Sequence, residues 1–235
     1  MSGQDWTLEK ELIGLSGATS LPDALVSLNL ISDVHSDFEL STVADWARSG
    51  SETYLFRFKV ESPMGDFRNY VLKACVAYSP SLTLEAILDE WVDRRRLLQR
   101  LGVNVPRLHA SGNGIILEEA IPYTLLERLK DSSADHSLLS HGLAEYIGIL
   151  SGLGFAAVSP FFGLLSRGHD VVAVDFGADL GKPQVAKPGD FKIFDELIEF
   201  LEDFGVAPNP GLRSTFTNAL ARGLDEISGK ESVGN

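Results

Sequence analysis

The chain has 235 residues, 44% hydrophobic and 23% charged, and carries a formal net charge of −13. Those proportions suit a globular protein with enough chain for a substantial core, and no apolar run reaches the eighteen or so residues that cross a bilayer. So acidic a surface repels phosphate backbones and argues against nucleic acid as a partner, while a single cysteine, Cys75, rules out an internal disulfide and a cysteine-based zinc site.

In chain order, Leu8–Leu15 and Leu21–Leu30 have helical apolar spacing, with Pro22 suited to a helix start. Asp37–Val43 is read as a first strand and Ala44–Glu52, polar and containing Gly50, as a turn. Thr53–Glu61 alternates strictly, setting Tyr54, Phe56, Phe58 and Val60 on one face of a strand. Ser62–Asp66 is a turn by composition, and Tyr70–Tyr78 is a third strand with Cys75 in its core. Ser81–Leu101 is the clearest helix, its apolar side marked by Leu84, Ile87, Leu88, Trp91 and Leu98, and Gly102 ends it. Val103–Leu108 leaves as an extended segment, and Gly114–Ala120 is an apolar strand that turns acidic at Glu118 and Glu119. Thr124–Leu129 and Leu138–Leu153 read as helices, Phe155–Leu165 and Lys182–Gly189 as loops, and Val171–Val174 as a strand. Phe191–Phe204 and Leu212–Ile227 are amphipathic helices, followed by a polar tail from Ser228. Arg94, Arg95 and Arg96 spread around a helix and read as a solvated face, with a docking patch for an acidic partner as the functional alternative.

Two residues stand out chemically. Lys73 lies inside the apolar run Tyr70-Val71-Leu72-Lys73-Ala74, where a buried cation needs a reason. Asp175 ends the run Asp170–Gly177, D-V-V-A-V-D-F-G.

With Lys73, Glu90, the acidic strand end and Asp175-Phe176-Gly177 in that order, the chain resembles the protein-kinase-like superfamily, with the aminoglycoside phosphotransferase and choline kinase group as the branch suggested. The resemblance runs from about Glu39 to Leu180. It implies an α+β, two-lobed fold: an N-terminal helical extension over 1–36, an antiparallel N-lobe with one inserted helix and a hinge over 37–120, a reduced helical C-lobe over 121–228, and a disordered tail. It implies ATP and Mg²⁺. Lys73 then binds the α- and β-phosphates, and Glu90, with Glu85 as alternate, orients the lysine. Ser49, Gly50 and Ser51 form the phosphate loop, the Glu118–Glu119 segment offers its main chain to adenine, and Asp175 is the metal-binding catalytic carboxylate.

The pattern breaks at the catalytic loop, where the superfamily reads H-x-D-x-x-x-x-N. Counted back from Asp175, Val158 stands at the aspartate position and Gly163 at the asparagine position. Gly152–Arg167 contains no carboxylate, histidine or asparagine. Ser159, His169, Asp170 and Asp179 are the candidate substitutes. Only 58 residues follow Gly177, so the C-lobe is closer in size to the compact atypical and lipopolysaccharide-modifying kinases. The leading expectation is an ATP-binding pseudokinase-type regulator or scaffold, or half of a phosphotransferase complex, with a protein or peptide partner. The alternatives are an active phosphotransferase or nucleotidyl transferase with a rearranged loop, and a nucleotide-independent binding module using Phe161 and Phe162. The residues from Met1 to Trp6 lack a basic stretch leading into an apolar core, so a cytoplasmic location is expected.

Overall fold

The computed structural model describes residues 7–35, 37–49, 53–76, 83–155, 161, 163–177, 180 and 192–231, without the side chains of 46, 48, 49 and 229–231. The chain forms two compact units, Met1–Glu90 with Arg107–Ala120, and Trp91–Pro106 with Ile121–Asn235. It is α+β, as the sequence predicts. No helix among the described residues is long and apolar enough to cross a membrane.

The first unit contains helices α1 (Leu8–Ser16) and α2 (Leu21–Ser27) and strands β1 (Glu39–Ser49), β2 (Thr53–Glu61), β3 (Phe67–Cys75), β4 (Leu108–Gly112) and β5 (Ile115–Glu119). The strands form one antiparallel sheet in the order β1-β2-β3-β5-β4. Thr7 caps α1, and Gly17 closes it in the left-handed region at φ 68°. Ser20 caps α2 ahead of Pro22.

Both helices supply the core of one sheet face. Leu12, Leu25 and Leu28 join Phe56, Phe58, Val60, Tyr70, Leu72 and Leu117 in a single buried cluster. The face predicted for β2 is the one that faces them, and Phe58 stacks on Tyr70 at 5.4 Å. Residues 8–28 are therefore part of this unit's core, with fully buried leucines worth about 1.5–3 kcal/mol each.

The boundaries of β2 match the prediction, but β1 continues to Ser49 where a turn was expected from Ala44. Its pairing with β2 shifts register between Thr42 and Ala44 and again between Ala44 and Ala47. Such bulges break the period-two alternation by which a strand is recognised. Strand β4 shares only Leu108 with the expected extended exit Val103–Leu108 and is otherwise new. It is paired through the turn at Asn113 and Gly114, whose φ values of 53° and 74° suit the Asn-Gly hairpin turn.

Helix α3 (Leu84–Arg100) is continuous, and the division between units falls within it, after Glu90. The second unit adds α4 (Leu125–Lys130), α5 (His136–Gly152), α6 (Lys192–Asp203) and α7 (Leu212–Glu231). Its small antiparallel sheet consists of β6 (Tyr123–Thr124), β7 (Leu165–Arg167) and β8 (Asp170–Val172). Of these strands only β8 was predicted, because two or three residues carry no readable period. Helix α7 runs to Glu231, into the segment read as polar tail. Glycines at Gly148, Gly152 and Gly223 let α5 and α7 approach backbone to backbone. Phe161 is buried and stacks on Phe200 at 4.8 Å, which makes it a core residue. Phe162 lies outside the described residues.

Candidate functional site

Lys73 sits within β3, two residues before its end, on the sheet face opposite the α1–α2 core. It is opposite Ile116, while Glu118 is opposite Val71. Lys73 and Glu118 are therefore diagonal neighbours on one face of the sheet, within reach of long side chains. Lys73 Nζ lies 2.5 Å from Glu118 Oε1, with both side chains buried. A carboxylate so placed supplies a counter-charge that a buried ammonium requires.

The sequence reading used Glu118 only for its main chain and missed this role for its carboxylate. The signal was available: Glu118 is in period-two step with Ile116, so its side chain belongs to the same buried face. Glu90, expected to orient Lys73, is half-buried on α3, and Glu85 is exposed.

The hinge main chain is partly committed. The Glu119 N–H donates to Arg107 O at 2.9 Å, and the Ala120 N–H donates to Asn69 O at 3.0 Å. The Glu119 carboxylate in turn accepts the Arg107 N–H at 3.1 Å. Those two N–H groups are satisfied within the first unit, which leaves them unavailable to adenine. In the expected phosphate loop, Ser49 pairs with Thr53 at the end of β1. Gly50 and Ser51 lie outside the described residues.

In the second unit, β8 ends at Val172, earlier than predicted. The Ala173 N–H leaves the ladder and donates to Asn104 O at 3.0 Å, so the segment before Asp-Phe-Gly is tied to the Gly102–Pro106 segment. Ala173 and Phe176 are buried, whereas Asp175 is exposed. The Gly177 N–H donates to Asp175 Oδ1 at 3.2 Å.

Two of the three consecutive arginines hold this turn, which corrects their reading as a solvated face. Arg94 donates to Phe176 O at 3.2 Å and also to Gly177 O. Arg95, only 4% exposed, lies 5.7 Å over the Phe176 ring. Arg96 alone is exposed, in a pair with Asp93. The sequence reading also missed Tyr146 on α5. Burial pushes its hydroxyl pKa far up, and the Asp175 carboxylate pushes it further in the same direction. Tyr146 is thus a neutral phenol within the electrostatic reach of Asp175.

The candidate catalytic-loop residues fare differently. Val158, Ser159 and Asp179 lie outside the described residues. Gly163 is exposed at φ 80°. His169 is occupied, its Nδ1 accepting the Asp135 N–H at 3.0 Å at the start of α5. Asp170 is exposed at the head of β8. Among the described residues no group of three or more His, Cys, Asp or Glu side chains gathers as a ready-made metal cage.

No family model matches this sequence, and no curated protein does. Solved structures do match the fold. One is a Rio2 kinase from Chaetomium thermophilum, solved as an ADP/Mg²⁺-phosphoaspartate complex, with a TM-score of 0.44 and 15% identity over 83% of this chain and 72% of that chain. The match lends no support to the aminoglycoside phosphotransferase branch. So distant a likeness transfers no residue's role, and the site stands on this chain's own geometry.

Proposed function

We propose that this chain is a protein-kinase-like nucleotide-binding protein that holds ATP with Mg²⁺ and does not itself transfer the phosphate efficiently. The observation that carries the reading is the buried, carboxylate-held ammonium of Lys73 within a strand. A fixed cation of this kind suits the polyphosphate of a nucleotide, because it is preorganised before the ligand arrives.

Asp175 fits the metal. It is a hard oxygen donor, exposed, with Oδ1 engaged by the Gly177 N–H and its turn held by Arg94. Mg²⁺ keeps most of its waters and needs only one or two protein carboxylates plus phosphate oxygens. When bound, the ion neutralises phosphate charge. Glu90 orients Lys73 alongside Glu118, and Ser49, Gly50 and Ser51 close over the phosphates.

The lack of transfer rests on the sequence. Between Gly152 and Arg167 there is no side chain able to take a hydroxyl proton as an aspartate would or to hold a second metal as an asparagine would. A general base contributes on the order of 10²–10⁴-fold in rate. The protein then works as a nucleotide-dependent regulator or scaffold for a protein partner.

The test is thermal stabilisation by ATP with and without Mg²⁺, beside phosphate transfer from γ-labelled ATP. Mg²⁺-ATP is expected to raise the melting temperature of the wild type. Asp175→Ala removes the Mg²⁺-dependent part, and Lys73→Met removes most of the rest. No stabilisation by ATP under either condition defeats the proposal, and rapid transfer that depends on Asp175 defeats its inactive half.

A further inference from the structure

A groove of about 930 Å³ opens in the first unit, between residues 29–38 and the β2–β3 hairpin. Leu30, Phe38 and Val60 line it, together with Met64 and Phe67 of the hairpin. The hairpin tip is a closed turn: the Gly65 N–H donates to Ser62 O at 2.9 Å, and the Ser62 N–H to Asp66 O at 2.8 Å. It therefore presents Met64 on a shaped projection, 89% exposed, with Phe67 behind it 58% exposed. Leu30 and Val60 belong to this unit's buried cluster and Phe38 packs against it, but Met64 and Phe67 do neither. Two large apolar side chains that the fold does not use, beside an apolar groove, mark a surface for association.

The charges around the groove say what it meets. Asp37, Asp66, Arg68 and Arg107 line it as well, and all four are exposed. None of them forms a salt bridge among the described residues. Glu61 is engaged by Lys59, which also lies 5.6 Å over the Phe67 ring. Two acids thus stand beside two bases, and the patch is neutral in a chain of net charge −13. A neutral patch of mixed sign selects neither an anion nor a cation. It fits a surface that carries both signs, and a two-fold contact supplies one automatically, because each patch then faces its own copy. The net charge repels a second copy from the surface at large, and here that repulsion is locally absent.

We propose that this groove and hairpin form the contact face of a two-fold symmetric dimer of this chain. Met64 and Phe67 of each copy enter the groove of the other against Leu30 and Phe38, and Arg68 and Arg107 of each copy meet Asp37 and Asp66 of the other. Methionine, aromatic and arginine side chains are the types enriched in such contacts. The interface is independent of the nucleotide reading.

The test is sedimentation equilibrium of the intact chain from low micromolar to several hundred micromolar. A reversible monomer–dimer equilibrium is expected. Met64→Asp and Phe67→Glu, at positions too exposed to disturb folding, should each weaken it about tenfold or more. Two charge-reversed variants probe the pairing, with thermal melts confirming that each is folded. Arg68→Glu/Arg107→Glu, with an all-acidic patch, and Asp37→Arg/Asp66→Arg, with an all-basic one, should each be monomeric alone and should form a heterodimer when mixed. A wild type that stays monomeric throughout overturns the proposal and gives the patch to a different partner. A dimer undiminished by Met64→Asp and Phe67→Glu places the contact elsewhere and overturns it too. Failure of the two folded charge variants to associate overturns the pairing of acids with bases across the two-fold axis.

Discussion

Lys73 and Glu118 form a buried ion pair across two adjacent antiparallel strands, Nζ to Oε1 at 2.5 Å, with side chains only 10% and 3% exposed. The pair gives the ammonium a fixed place on a rigid sheet. It also creates a liability, since removing either partner takes a close counter-charge from a buried ion.

Lys73→Met and Glu118→Leu should each destabilise the protein by about 3–5 kcal/mol, while the double substitution should recover most of that loss. Urea denaturation of the three variants measures this. Additive losses in the double variant would mean that the two groups do not depend on each other.

Arg94 should be irreplaceable by lysine. One guanidinium nitrogen serves two successive carbonyls, Phe176 O and Gly177 O, while the planar group lies 5.6 Å over the Phe155 ring, a combination that a compact ammonium does not reproduce. Arg94→Lys is expected to cost about 1.5–3 kcal/mol and to speed hydrogen exchange at the Gly177 amide. Exchange at wild-type rates would show that the turn holds without the arginine.

Glycine substitutions should divide by position. A Cβ on Gly148 would lie 2.5 Å from Phe216 O and 2.8 Å from Ala219 Cβ. Gly148→Ala should therefore destabilise by about 1–3 kcal/mol through overpacking against the α7 backbone. Gly14, in the helix α1, has nothing within 4 Å of a built Cβ, so Gly14→Ala should stabilise by about 0.5–1 kcal/mol. Thermal melts of the two variants should move in opposite directions.

Acid should weaken the first unit through His109. Burial holds its imidazole below the ordinary value of 6.5, and Arg107 and Arg68 add to that, against the opposing pull of Glu119 and of the bond to Leu28 O. Nδ1 lies 3.0 Å from that carbonyl, which can only accept, so the neutral ring carries its proton there. Below pH 6.5 the unfolded chain takes up the proton more readily than the folded one. Stability is complete above that value and is lost as pH falls through the lower folded-state value. His109→Gln should flatten the change in unfolding free energy between pH 7.5 and pH 5. An unchanged slope would assign the acid sensitivity to other groups.

Much of this molecule is readable from local pattern. The alternation of Thr53–Glu61, the helical spacing of α3 and the apolar periodicity of α5–α7 each follow from which face must be buried. The hairpin at Asn113-Gly114 was missed although its turn chemistry is local. The second half of the edge strand β1, beyond Val43, escaped notice because two bulges interrupt its period, and β6 and β7 because they are too short to have one.

The amino-acid sequence by itself determined that Lys73 needs a counter-charge and that Asp175 ends an apolar run, since both follow from the cost of burying polar groups. Only the tertiary structure decided that the counter-charge on Lys73 includes Glu118, and that Arg94 and Arg95 turn inward to hold Phe176 and Gly177. Strand register and helix placement bring those residues together across 45 and 82 positions of chain, counted from Lys73 to Glu118 and from Arg94 to Phe176. No local period encodes a meeting at that distance.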